Sequence, residues 1–115
     1  MKVLIVDDSA RMRRMIRSVV ADLADEVFEC VDGSEAVMAY QRFCPDWVLM
    51  DIKMPRVDGL KAAAAISAAS SGARIVIVTN YEGEDLREAA RLAGACEYVI
   101  KEDLLAIRRI LLRER

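Results

Sequence analysis

Five short apolar runs, at residues 3–6, 27–30, 47–50, 75–78 and 98–100, divide the chain, and a segment with helical spacing follows each. The runs are too short for buried helices and rich in β-branched or aromatic residues, as expected of strands covered on both faces. After the first run, "SARMRRMIRSVVADLA" sets Met12, Ile16, Val19, Val20 and Leu23 on one helical stripe, with Ser9 as N-cap. Arg11, Arg13, Arg14 and Arg17 point mostly away from that stripe. Helical patterns also fit residues 34–43, 59–69, 84–93 and 103–112, with Asp58 capping the third helix. Five successive strand–helix units predict an α/β fold, a doubly wound five-stranded parallel sheet with helices on both faces. Right-handed crossovers leave few strand orders, and 2-1-3-4-5 is the expected one. The runner-up is a fragment of a larger doubly wound enzyme.

A chain of 115 residues without a Pro/Gly/Ser-rich linker reads as one domain, residues 1–115. The 17 basic and 19 acidic side chains leave a formal charge of −2, so no overall attraction draws it to nucleic acid or to a membrane surface. With no histidine, Ser-His-Asp, Cys-His and His-ligated zinc chemistry are excluded. Cys30, Cys44 and Cys96 are far apart and form no Cys-x-x-Cys pair, which disfavours a disulfide framework or thiolate metal site. They read as buried, reduced thiols of a cytoplasmic protein. "MKVLIVDD" is neither a signal peptide nor a membrane span.

In open parallel sheets, ligands bind outside the carboxyl ends of the strands, where the strand order reverses. Asp7 and Asp8 end the first run, Asp51 the third and Thr79 the fourth, and Lys101 follows the fifth. Singly, each has an ordinary use: Asp8 as a helix cap, Thr79 as filling, Lys101 as a surface charge. Together they predict one polar cluster. Three adjacent carboxylates raise one another's pKa unless a cation joins them, and oxygen-only ligands favour Mg²⁺ over zinc. A carboxylate beside such an ion can act as nucleophile toward phosphorus, with Lys101 and the Thr79 hydroxyl binding the phosphoryl oxygens.

From "VLIVDDS" through "VLMDIKMPRVDG" and "IVIVTN" to "YVIK", the chain resembles the receiver domain of two-component response regulators along essentially its whole length. The resemblance implies the flavodoxin-like, CheY-like form of the sheet and a switch function. Asp51 becomes the phosphoacceptor, Asp8 and Asp51 direct Mg²⁺ ligands with the Lys53 carbonyl, and Asp7 a ligand through water. Thr79, Lys101 and the backbone N–H groups of Lys53 and Asn80 hold the phosphoryl group, and Thr79 and Tyr98 form the switch. The implied partners are a histidine kinase or phosphotransfer protein, an output domain or target protein, and a second copy in a homodimer; direct nucleic-acid binding and membrane contact are not expected. The resemblance implies a signalling switch rather than an enzyme, one that catalyses its own phosphorylation and slow dephosphorylation.

The chain departs from the family where many members carry proline after the active-site lysine; here Glu102 and Asp103 follow. A cis peptide before a non-proline residue costs about 3 kcal/mol, so the cis form of that loop is not expected. With "TNYEGED", this resembles the branch whose full-length members carry a C-terminal helix-turn-helix domain, and both a stand-alone and an excised module fit. Lys53 and Tyr81 stand beside the path of attacking water, and Asn80 is larger than the usual small residue, which predicts slow hydrolysis. On the last helix, Leu104, Ile107, Ile110 and Leu111 form a core stripe, while Leu105 and Leu112 fall nearly opposite. The other class considered is a Mg²⁺-dependent phosphohydrolase with an aspartyl-phosphate intermediate. The haloacid-dehalogenase type carries a second Asp two residues after the nucleophile, where this chain has Lys53, and it has no cap insertion. No Gly-x-x-x-x-Gly-Lys run follows the first strand, which disfavours a P-loop.

Overall fold

A computed structural model describes residues 1–113. The strands are β1 (Lys2–Val6), β2 (Glu26–Cys30), β3 (Trp47–Met50), β4 (Ile75–Thr79) and β5 (Glu97–Ile100). They alternate with α1 (Ala10–Val20), α2 (Gly33–Phe43), α3 (Gly59–Ala69), α4 (Glu84–Leu92) and α5 (Leu105–Arg113). All pairings are parallel and the order is β2-β1-β3-β4-β5, as the run of strand–helix units predicts.

The two-residue period of the strands sorts their side chains into two cores. Val3, Ile5, Trp47, Leu49, Val76 and Val78 face one layer, where they meet Ile16 and Val20 of α1 and Ile107, Ile110 and Leu111 of α5. Leu4, Val6, Val48, Met50, Ile75 and Ile77 face the other, against α2, α3 and Ala90 of α4. β1, β3 and β4 are buried on both sides, and each large aliphatic side chain so covered contributes roughly 1.5–3 kcal/mol. The strands at the centre of the sheet are thereby the most firmly held.

Helix starts follow side-chain capping. Ser9 Oγ accepts from Met12 N–H at 3.2 Å, Asp32 from Glu35 at 2.9 Å and Asp58 from Lys61 at 2.9 Å. The cap of α1 is therefore Ser9 and not Asp8. α2 starts one residue earlier than its periodicity suggests because Asp32 caps it. α5 starts later, since Lys101–Asp103 form a separate 3₁₀ turn. α1 ends at Val20, short of the apolar stripe, and Asp22 beyond it pairs with Arg108 at 2.6 Å. Among the described residues no peptide is cis. None of their helices is long and apolar enough to cross a membrane.

The cysteine expectation needs correction. Cys30 ends β2 in the core, where burial, reinforced by Glu35 and Asp32, pushes its thiol up to about 11. Cys44 and Cys96 are exposed. Cys44 stops α2 in a left-handed conformation (φ 48°), and Cys96 lies in the connection before β5, so neither is carried by a core-facing position.

Candidate functional site

The register of the central strands builds the site. Val6 pairs with Met50, and the Asp51 N–H donates to the Val6 carbonyl at 2.9 Å, so the residues that follow, Asp7 and Asp51, emerge side by side. Asp51 is 6% exposed and Asp7 1%, while Asp8 lies open to solvent. One carboxylate oxygen from each of Asp7, Asp8 and Asp51 lies within 4.8 Å of the others. β5 then delivers Lys101, whose Nζ stands 2.8 Å from Asp7 Oδ2 and 3.2 Å from Asp51 Oδ2.

Local backbone donors orient both buried acids. Ile52 N–H donates to Asp51 Oδ1 at 2.8 Å, and Ser9 N–H to Asp7 Oδ1 at 2.8 Å. Asp7 Oδ2 is fully buried, and the Lys101 ammonium 2.8 Å away is its partner. Burial raises the Asp51 pKa above its ordinary value; Lys101 opposes the rise and the charge of Asp7 adds to it. Burial acts to lower the Lys101 pKa, but its hydrogen bond to Asp7 and the charges of Asp51 and Asp7 outweigh it, so the net direction is up. One ammonium thus faces three carboxylates, and the pocket keeps an excess of negative charge in surroundings of low polarity. An oxygen-only donor set with such an excess fits a hard divalent cation such as Mg²⁺.

The remaining sequence-predicted residues lie on β4, on β5 and in the connections that follow β3 and β4. Thr79 is fully buried at the end of β4, its Oγ1 accepting from Tyr81 N–H at 3.3 Å. The Lys53 ammonium lies 5.0 Å from the Tyr81 ring centre, joining the β3–α3 and β4–α4 connections. Asn80 beside them is exposed. Tyr98 is half-buried; its hydroxyl donates to the Tyr81 carbonyl at 2.6 Å and the Arg87 guanidinium sits 4.6 Å from its ring centre. Leu105 and Leu112, 62% and 42% exposed, lie apart from the acidic cluster on the outer side of α5.

Two residues serve the site without having been assigned to it from sequence. Arg13 was placed among the outward arginines of α1, yet its Nη1 donates to the Asp7 carbonyl at 2.6 Å and its Nε to Glu29 at 2.9 Å. No periodicity argument can reveal a long side chain that folds back toward the turn before its own helix. In the sequence Gly59 is marked only as the first residue of the third helical pattern. A Cβ there would stand 1.7 Å from the Asp51 carbonyl oxygen, so α3 can start against the end of β3 only with glycine at this position. The "DG" after Pro55 was its available signal.

Residues 3–111 match the family model described as the response regulator receiver domain. The chain belongs to that family. Among its relatives, the chemotaxis protein CheY of Halobacterium salinarum is 38% identical over 100 residues, 87% of this chain and 83% of that protein. The transcriptional regulatory protein PdtaR of Mycobacterium tuberculosis is 42% identical over 101 residues, again 87% of this chain but 49% of the longer protein. Among solved structures, the response regulator domain of Thermotoga maritima CheB superposes with a TM-score of 0.88 at 25% identity, covering 98% of this chain and 94% of that one. As a receiver domain, the chain is a module of two-component signal transduction, and its acidic pocket accords with a phosphoacceptor switch. The phosphohydrolase reading is not favoured.

Proposed function

We propose that residues 1–115 form one receiver module whose acceptor is Asp51, phosphorylated by a histidine kinase or phosphotransfer protein in the cytoplasm. The observation that carries this reading is the Lys101 ammonium shared between Asp7 and Asp51 at one edge of the sheet. In the transfer, an Asp51 carboxylate oxygen forms a bond to phosphorus as the phosphorus–nitrogen bond of the donor histidine breaks. The electron pair of that bond returns to the imidazole. The chain's own contribution is positional: Ile52 N–H fixes the carboxylate, while the Lys101 ammonium and the Thr79 hydroxyl are placed to meet the arriving oxygens.

Asp8, Asp51 and the Lys53 carbonyl are the proposed Mg²⁺ ligands, with Asp7 acting through water. The ion, when bound, neutralises charge on the acidic pocket and the phosphoryl oxygens. The Lys53 and Asn80 N–H groups complete the phosphoryl cradle. In this reading the chain catalyses its own phosphorylation and slow dephosphorylation, and Thr79 and Tyr98 relay the change to a surface that meets an output domain, a target protein or a second copy.

Intact-mass measurement after incubation with acetyl phosphate and Mg²⁺ tests the assignment. The parent chain should gain one phosphoryl group and Asp51→Asn none. A full gain by Asp51→Asn places the acceptor elsewhere.

A further inference from the structure

Arg56 holds a left-handed backbone conformation (φ 64°) in the connection between β3 and α3. Residues with a Cβ avoid this region, and glycine adopts it freely, so an arginine there requires something to hold it. Its guanidinium pairs with Asp32; the arginine side chain is 71% exposed, but the carboxylate is 1% exposed. Asp32 is also the N-cap of α2. Its Oδ1 accepts from Glu35 N–H at 2.9 Å and from the Ser34 hydroxyl at 2.7 Å, leaving Oδ2 to Arg56.

The next residue adds a second tie. Gly33 N–H donates to the Val57 carbonyl at 3.0 Å, and a Cβ on Gly33 would stand 2.3 Å from that oxygen. Two successive residues of the connection are thus fastened to the first turn of α2. The same connection begins at Asp51 and is closed by Gly59 N–H donating to the Ile52 carbonyl at 2.8 Å. Between these anchors lies Lys53.

We propose that Arg56 is a positioning residue for phosphoryl transfer: paired with Asp32, it holds the β3–α3 connection so that the Lys53 backbone is fixed beside Asp51. This rests on the reading of Asp51 as acceptor. With the arginine side chain 71% exposed the pair is screened by water, and Asp32 keeps its Glu35 and Ser34 donors without Arg56, so the pair adds little to stability. Its effect is therefore on the order of the loop, and a backbone group displaced from a reacting centre slows transfer far more than it weakens the fold.

Arg56→Gly separates the two effects, because glycine relieves the left-handed strain while removing the pair. The expected result is a thermal midpoint equal to or above the parent's, with faster amide hydrogen exchange at residues 53–57. The rate constant for phosphorylation by saturating acetyl phosphate should fall roughly three- to tenfold at nearly unchanged half-saturating donor concentration. Arg56→Lys should recover part of the rate. Asp32→Asn keeps a good N-cap and drops the charge, so it should show the same fall, and the double variant should be no slower than either single one. Unchanged exchange or an unchanged rate in Arg56→Gly overturns the proposal, as does a rate that falls only in step with lost stability. If the parent itself takes no phosphate, the acceptor reading fails and the positioning role falls with it. Failure confined to the variant comparison leaves Asp51 in place.

Discussion

The Tyr98 hydroxyl donates to the Tyr81 carbonyl at 2.6 Å, tying β5 to the connection that leaves Thr79. Arg87 stacks over the same ring and is held in turn by Glu82 at 2.7 Å. The ring is therefore fixed from two sides. Tyr98→Phe keeps the stacking and loses the hydrogen bond, which should cost about 0.5–1.5 kcal/mol in chemical denaturation and speed amide exchange beyond Thr79. If Tyr98 is the switch, beryllium fluoride should move the ring off the Tyr81 carbonyl; a side chain that keeps one rotamer in both states argues against that role.

Asp51→Asn should raise thermal stability at neutral pH when no divalent ion is present. Burial raises the Asp51 pKa above 3.8, so between 3.8 and its folded value the native chain binds more protons than the unfolded one. Stability from this group therefore falls as pH rises through that window. Melting curves of parent and variant should converge toward pH 3.8 and separate above it, with the variant higher.

Asp32 has the opposite sign. Its hydrogen bond from Glu35, with those from Ser34 and Arg56, holds its pKa at about 2, below its ordinary 3.8. The stability it supplies is fully present above 3.8 and disappears as pH falls through about 2. Parent and Asp32→Asn should differ at pH 5 and approach one another near pH 2; a constant difference across that range would mean the charge of Asp32 is irrelevant to folding.

Gly59→Ala should cost roughly 1–3 kcal/mol or more by overpacking, because its Cβ would stand 1.7 Å from the Asp51 carbonyl oxygen. The displaced strand end should also slow phosphorylation. Gly72→Ala is the control, since nothing lies within 4 Å of its added Cβ, and it should be near neutral in the same unfolding measurement.

Lys53 and Tyr81, in contact at 5.0 Å, should shield the phosphorylated acceptor from water. Lys53→Ala and Tyr81→Ala should each shorten the life of the Asp51 phosphate, followed by mass spectrometry after donor removal. Lifetimes equal to the parent's in both variants would show that shielding does not set the rate.

The strands were legible because β1, β3 and β4 are buried on both faces and so read as unbroken apolar runs. The runs of β1, β3 and β5 lead into Asp7, Asp51 and Lys101, which pair at the sheet edge, so these polar residues were legible together. What escaped was set by reach and by backbone geometry. Arg13 looks like its outward neighbours until its side chain is seen folding back to Asp7. Arg56 occupies a left-handed position normally advertised by glycine, so its conformation left no local mark. Cys44 and Cys96 were misjudged because average burial of a residue type says nothing about a helix stop or a connecting loop.

The parallel register that sets Asp7 beside Asp51 draws its site from the beginning, middle and end of the chain. Lys101 reaches the two acids only when β5 has docked on β4, the last strand of the sheet to be added in sequence order. A chain with that edge unformed carries the two acids but lacks their ammonium partner. If Asp51 takes the phosphate, its uptake becomes a certificate of complete assembly, withheld from a half-folded copy of the regulator.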